Sequence, residues 1–152
     1  MRFHPLLLLA TLALTPCTLA AQAGSPPDSD CPRCAEWNAP QRPFRLHGDS
    51  WYVGPRGLSA VLVTSPAGHV LIDGGLPESA EVIAGNIRTL GFRVEDVRLI
   101  LNTHAHFDHA GGLAALQRQS GAEVAASPAS REVLLRGTSG PDDPQHGALP
   151  SM

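Results

Sequence analysis

Four side chains able to bind a metal ion stand within six residues, in the run His104-Ala105-His106-Phe107-Asp108-His109. In extended backbone alternate side chains point the same way, so His104 and His106 can converge on one ion at Zn–N distances of about 2.0–2.1 Å. Where the chain turns toward a helix, Asp108 and His109 swing to a second position. A carboxylate beside an imidazole suits zinc there and leaves coordination sites for water. Two ions roughly 3.5–4 Å apart would share a water and bring its pKa from about 15.7 toward about 7, which yields a hydrolytic nucleophile at neutral pH. Structural zinc sites are usually closed by cysteine and histidine, so the carboxylate favours an open, catalytic site over a structural one. An incidental histidine-rich loop would seldom unite these residue types in this order. Gly111 and Gly112 follow at once and read either as a tight turn into a helix or as plain loop flexibility.

The surrounding sequence supplies elements to position this cluster. Phe44 to Val53, Ser59 to Thr64 and Val70 to Asp73 are runs rich in β-branched or aromatic residues, divided by turn signals at Gly48-Asp49, Gly54-Pro55 and Pro66-Ala67-Gly68. They predict an antiparallel meander. Pro77, Glu78 and Glu81 mark the first turn of a helix that buries Ala80, Ile83, Ile87 and Leu90 on one face and stops at Gly91. Val97 to Leu101 is an almost unbroken apolar run, suited to a strand buried on both sides, and it leads straight into Asn102-Thr103-His104. A short helix from about Gly112 to Gln119, a strand from Glu123 to Ala126 and a helical stretch from Pro128 to Arg136 follow. Strands first, then helix and strand in alternation, predict an α/β fold with a sheet covered by helices on one side.

The chain ends offer little to a core. Arg2, the apolar run Leu6 to Leu14 and the small-residue stretch Ala21-Gln22-Ala23 read as a cleaved secretory signal over 1–23, which implies export. That apolar run is far short of the roughly 20 residues a spanning helix needs, so no stable membrane anchor is expected. Pro16 before Cys17 is a poor fit to a lipoprotein site, and His4 leaves with the signal. Residues 24–43 are rich in Pro, Ser and Asp and read as an exposed arm that packs, if at all, through Trp37. Cys31 and Cys34 are then the remaining cysteines of an exported protein, and a disulfide between them is the leading reading; a redox motif and half of a zinc site are the alternatives. Residues 44–136 form the domain, and 137–152, loop-like and without a closing element, suggest a truncated chain. All 11 basic residues are scattered arginines and the formal net charge is -3, which excludes a nucleic-acid binder and a polybasic membrane patch.

The run Thr103 to Gly112, with Val70-Leu71-Ile72-Asp73-Gly74-Gly75 upstream, resembles the signature of the metallo-beta-lactamase superfamily, over about Trp51 to Arg136. With His109 after Asp108 it is most similar to class B beta-lactamases of the third subclass. The resemblance implies a four-layer αββα sandwich of two similar halves, of which this chain covers about the first. It implies two zinc ions, the first held by His104 and His106 and the second by Asp108 and His109. Asp108 is thus also the residue assigned to catalysis. A hydroxide between the metals would open the ring of a small-molecule beta-lactam, an antibiotic-resistance activity suited to the periplasm. Asp73 would brace the loop or simply cap a turn. The family also needs histidines further downstream. His146 lies in a Pro- and Asp-rich tail and reads as a surface residue, as do His47 and His69. The alternatives are a superfamily hydrolase of thioesters, esters or lactones, and an inactive truncated fragment. Half a sandwich would leave one sheet face uncovered, so the chain alone is expected to be poorly soluble and inactive.

Overall fold

The computed structural model describes residues 31–146. The signal segment 1–23, the arm residues 24–30 and the final residues 147–152 lie outside the described residues. One six-stranded sheet runs in the order β1-β2-β3-β4-β5-β6. β1 (Phe44–His47), β2 (Ser50–Tyr52), β3 (Val61–Val63) and β4 (His69–Ile72) pair antiparallel, as the meander predicts. β5 (Val97–Leu101) and β6 (Glu123–Ala125) join parallel to β4, because a helix intervenes before each of them. Gly48, at φ +51°, makes the β1–β2 turn. Among the described residues no helix is long and apolar enough to cross a membrane.

The cross-strand register sorts the side chains into two faces. Trp51, Leu62, Leu71, Ile100 and Val124 stand in one row across β2 to β6, on the face roofed by the helices. α2 (Ser79–Thr89) lays Ala80, Ile83, Ala84 and Ile87 on that face, and α4 (Leu113–Ser120) adds Leu113 and Leu116. Each buried isoleucine or leucine among them stabilises the fold by roughly 1.5–3 kcal/mol relative to exposure. Pro77 precedes α2 rather than sitting in its first turn. The reason is local: Ser79 Oγ accepts the Leu76 N–H at 3.0 Å and Ser79 N–H bonds Leu76 O at 3.0 Å, so a separate turn fills the approach to the helix. Gly91 ends α2 at φ +85°, and Gly121 ends α4 at φ +72°. In α5 (Pro128–Arg136), Ser127 caps the start by accepting the Ser130 N–H at 3.1 Å, with Pro128 in the first turn.

The opposite face carries Tyr52, Val61, Ile72 and Leu101 in one row and Val63, Val70 and Leu99 in the next. All of these are half-buried or exposed. β5 is therefore not buried on both sides, contrary to what its composition predicts. Its register slips by one residue at Arg98, and Leu101 remains 39% exposed because helices cover only one face. The observed layering, helices on one side of one sheet, is the α/β architecture expected.

The two faces should respond differently to truncation. Ile83→Ala is expected to cost about 2–5 kcal/mol in urea unfolding, the range for a fully buried aliphatic. Ile72→Ala, on the open face, should cost less than about half as much because less area leaves water there. Equal losses would mean that the open face is packed as tightly as the roofed one.

Candidate metal centre

β4 and β5 end side by side, and the residues just past their carboxyl ends carry the chemistry. This is where α/β sheets ordinarily place their sites. Asp73 follows β4 and Asn102-Thr103 follow β5, registered by an Asp73 N–H to Leu101 O bond of 2.9 Å. Asp73 is 5% exposed, and a buried carboxylate is costly unless its oxygens are bonded. Its Oδ1 accepts from Thr103 N at 2.8 Å and Asn102 Nδ2 at 3.2 Å, and its Oδ2 from Thr103 Oγ1 at 2.7 Å and His109 Nδ1 at 2.9 Å. Asp73 also adopts φ +60°, a left-handed conformation that aspartate tolerates better than most residues. It therefore braces the loop through the side chain as well as turning it, which goes beyond ordinary turn capping.

The second loop runs through α3 (Phe107–Ala110), and backbone bonds hold it against the first. Gly74 N–H bonds His109 O at 2.8 Å and Gly112 N–H bonds Gly75 O at 3.1 Å. Gly111 and Gly112 form the tight turn from α3 into α4 (Leu113–Ser120), as one of the two sequence readings has it, but with right-handed helical backbone that any residue adopts. They are needed for lack of a side chain. A Cβ on Gly112 would stand 2.3 Å from Gly74 O, and one on Gly111 would stand 2.6 Å from Pro77 Cδ.

The structure brings His104, His106 and His109 together, with ring centroids 4.6 Å apart for His104 and His106 and 4.1 Å for His104 and His109. Asp108 Oδ2 lies 3.7 Å from His109 Nε2. Two donors on one tetrahedral zinc, each about 2.0–2.2 Å from it, are about 3.3–3.6 Å apart, so this pair is close to the spacing one ion requires. His106 Nε2 instead faces Asp143 Oδ2 at 3.4 Å, and Gln145 Nε2 donates to Asp108 Oδ1 at 3.2 Å. Among the described residues, no group of three or more His, Cys, Asp or Glu side chains is already converged on a metal position. The donor set thus fits zinc by its chemistry and in one of its pairs. Asp143 and Gln145 escape sequence reasoning because no spacing rule links them to residues 35 or so earlier. His146 is exposed, with Nδ1 2.9 Å from Ser139 O, and His47 is exposed as well. His69 begins β4 and takes the Ser65 N–H on its Nδ1 at 3.3 Å.

Electrostatics set the protonation of these groups. Burial works to raise the Asp73 pKa, but hydrogen bonds from His109 and Thr103 outweigh it and hold the carboxyl below its ordinary value. The same Asp73 bond raises the His109 pKa against the effect of burial, with the charges of Asp73 and Asp108 adding to it. Burial first, then the neighbouring His109 and His106, lower that of His104. His104 is thus kept neutral, with a lone pair to offer. His109 Nδ1 is committed to Asp73, which directs Nε2 toward Asp108.

Comparison with known proteins places this arrangement. Residues 53–150 match the metallo-beta-lactamase superfamily. The chain is similar to the solved structure of Rm3 metallo-beta-lactamase, at 67% identity and a TM-score of 0.78, over 80% of this chain and 45% of that one. It is similar to MEM-A1, a subclass B3 metallo-beta-lactamase from a soil metagenome library, at 61% identity and a TM-score of 0.74, over 76% of this chain and 44% of that one. It also resembles SMB-1 bound to 2-mercaptoethanesulfonate, at 48% identity and a TM-score of 0.74, over 76% and 45%. The chain spans less than half the length of these structures.

Removing the Asp73 carboxylate should unsettle both loops. Asp73→Ala strands a buried donor on Asn102 and part-buried ones on Thr103 and His109, and is expected to cost about 1–3 kcal/mol in denaturant unfolding. Asp73→Asn keeps the left-handed preference and part of the bonding, and should cost roughly half of that. An alanine variant as stable as the parent would show that the carboxylate braces nothing. Gly112→Ala, forced against Gly74 O, should destabilise by about 1–3 kcal/mol, the cost of overpacking.

Proposed function

Since the chain belongs to the metallo-beta-lactamase superfamily, we propose that its site serves zinc-dependent hydrolysis of the beta-lactam ring, in a protein exported to the periplasm by the signal read over 1–23. The observation that carries this reading is the pairing of Asp108 with His109, whose Nε2 is presented by the Asp73 bond on Nδ1. The similarity to beta-lactamases of known structure, one of them of subclass B3, supports the substrate class. The capture of a small thiol by SMB-1 supports a small-molecule site.

His104 and His106 are the residues proposed to hold one zinc, and Asp108 and His109 the other. Zinc bound here would acidify a water and polarise the lactam carbonyl. The chain's residues have distinct tasks around that chemistry. His104, kept neutral, offers a lone pair without first losing a proton. Gln145 occupies Asp108 Oδ1, which leaves Oδ2 as the oxygen turned to His109 and able to share an ion with its Nε2; Asp108 is the proposed catalytic carboxylate. Asp73 keeps His109 in one tautomer and one orientation, so the ring need not reorganise during reaction.

The test is zinc content and turnover of a chromogenic beta-lactam, measured on the whole gene product. Zinc-dependent ring opening is expected, abolished by a chelator, with His104→Ala and Asp108→Ala each lowering kcat/KM by more than the roughly 10–100-fold that outer partners of a metal cost. Hydrolysis of a thioester, ester or lactone in place of the lactam would select the other hydrolase reading. A protein that takes up no zinc would remove both.

A further inference from the structure

We propose that Trp37 is a positioning residue for the ligand loop, held in place by the Cys31–Cys34 disulfide and acting through Phe107, which stands between His106 and Asp108. The inference rests on the reading of 104–109 as the metal loop. It starts from a small apolar cluster separate from the main core, in which Leu58, Leu76 and Phe107 are buried and Cys34 and Trp37 pack against them. Leu76 lies on the loop that begins at Asp73, and Phe107 on the loop that carries the ligands. One cluster therefore ties both halves of the site together, and the amino-terminal arm closes it.

The arm is built to stay there. α1 (Cys34–Trp37) is a single turn, too short to persist alone. The disulfide closes it at its start, and Cys34 N–H bonds Cys31 O at 3.1 Å. Backbone bonds then dock it: Gly57 N–H to Trp37 O at 3.0 Å and Arg56 N–H to Ala39 O at 2.9 Å. Ser79 Oγ donates to Asn38 Oδ1 at 2.7 Å while accepting from Leu76 N, so the arm is linked to the Leu76 turn by a polar chain as well. Gly57 admits the arm by lacking a side chain, since a Cβ there would stand 2.5 Å from Trp37 Cα.

Phe107 is the lever. It opens α3, another four-residue helix, whose start is met by Gln145 Oε1 accepting the Phe107 N–H at 3.1 Å and whose end is tied to Gly74; what its apolar residues pack against sets the orientation that those bonds leave free. With Phe107 turned inward, at 5% exposure, its neighbours His106 and Asp108 are turned toward the half-open side of the loop. Loss of Trp37 removes a ring packed against the cluster that holds Phe107 and frees the loop to rotate its ligands. Reduction by a dithiol acts on the same support: the reductant's two thiols become a disulfide, the Cys31–Cys34 bond breaks, and each cysteine gains a proton.

The experiment follows amide exchange in the metal-free whole gene product and cobalt(II) binding by its visible spectrum. The amides of His109, Ala110 and Gly111, bonded to His106 O and Phe107 O, report on α3, while those of Leu71 and Ile100 report on the sheet. Trp37→Ala should speed exchange at α3 by about tenfold or more with the sheet amides unchanged. Trp37→Phe should stay within about threefold of the parent, because a ring still packs against the cluster. Gly57→Ala, which keeps the Trp37 side chain but displaces the arm, should behave as Trp37→Ala, and dithiol reduction should move α3 in the same direction. Cobalt(II) affinity should fall in the same order. Unchanged α3 exchange overturns the proposal, as does equal acceleration in α3 and sheet, which would make Trp37 an ordinary stabilising contact. Faster α3 exchange with undiminished cobalt(II) affinity overturns it too. Failure of the parent to bind cobalt(II) counts against the metal reading, and the exchange data then decide alone whether the arm clamps α3.

Discussion

One buried carboxylate organises the end of the sheet. Asp73 follows β4, yet its oxygens are filled by groups that follow β5 and by the ring of His109 in α3. The desolvation cost of burying that charge is offset only when Asn102, Thr103 and His109 are all in place. Any conformation that moves one loop leaves the charge short of donors. The two loops are thereby held in a single register, and the imidazole that reaches Asp108 is oriented by the same charge that fastens the backbone.

Close backbone approach does the rest. Gly74, Gly75, Gly111 and Gly112 let the loops meet as strand-like neighbours, with a lone parallel bridge between Gly75 and Ala110. Two short hydrogen bonds and that bridge replace what would otherwise need packed side chains. The space saved lies next to the donors, where a bulkier sequence would fill the site. Rigidity therefore comes from main chain and charge, while the apolar cluster around Phe107 and Leu76 lies beneath both loops.

Much of this was legible in the sequence, for identifiable reasons. The meander, α2 and α5 carry their own punctuation: Gly48 and Gly91 sit at positive φ where the backbone turns, and Pro128 opens α5. The histidines and Asp108 were visible because their spacing is itself the signal. Asp73 was visible as a brace only through its place beside a resemblance, since its four bonds span some 30 residues of sequence. Gly111 and Gly112 do form a turn into α4, but the reason that they are glycine, the backbone and Pro77 packed where a Cβ would stand, leaves no mark in the sequence. β5 was misjudged because an apolar run records which residues prefer burial, and the fold covers only one of its faces. Asp143 and Gln145 reach the site from a stretch whose composition reads as plain loop.

The one-sided roofing of the sheet has a thermodynamic consequence. Denaturant sensitivity and the heat capacity of unfolding both scale with the surface newly exposed when the chain opens. Val61, Val63, Val70, Ile72, Leu99 and Leu101 already meet water to varying degrees in the folded chain, so they add less to that surface than their number suggests. With that face open, residues 31–146 would show a shallower unfolding transition, and a flatter dependence of stability on temperature, than the same sheet with both faces covered.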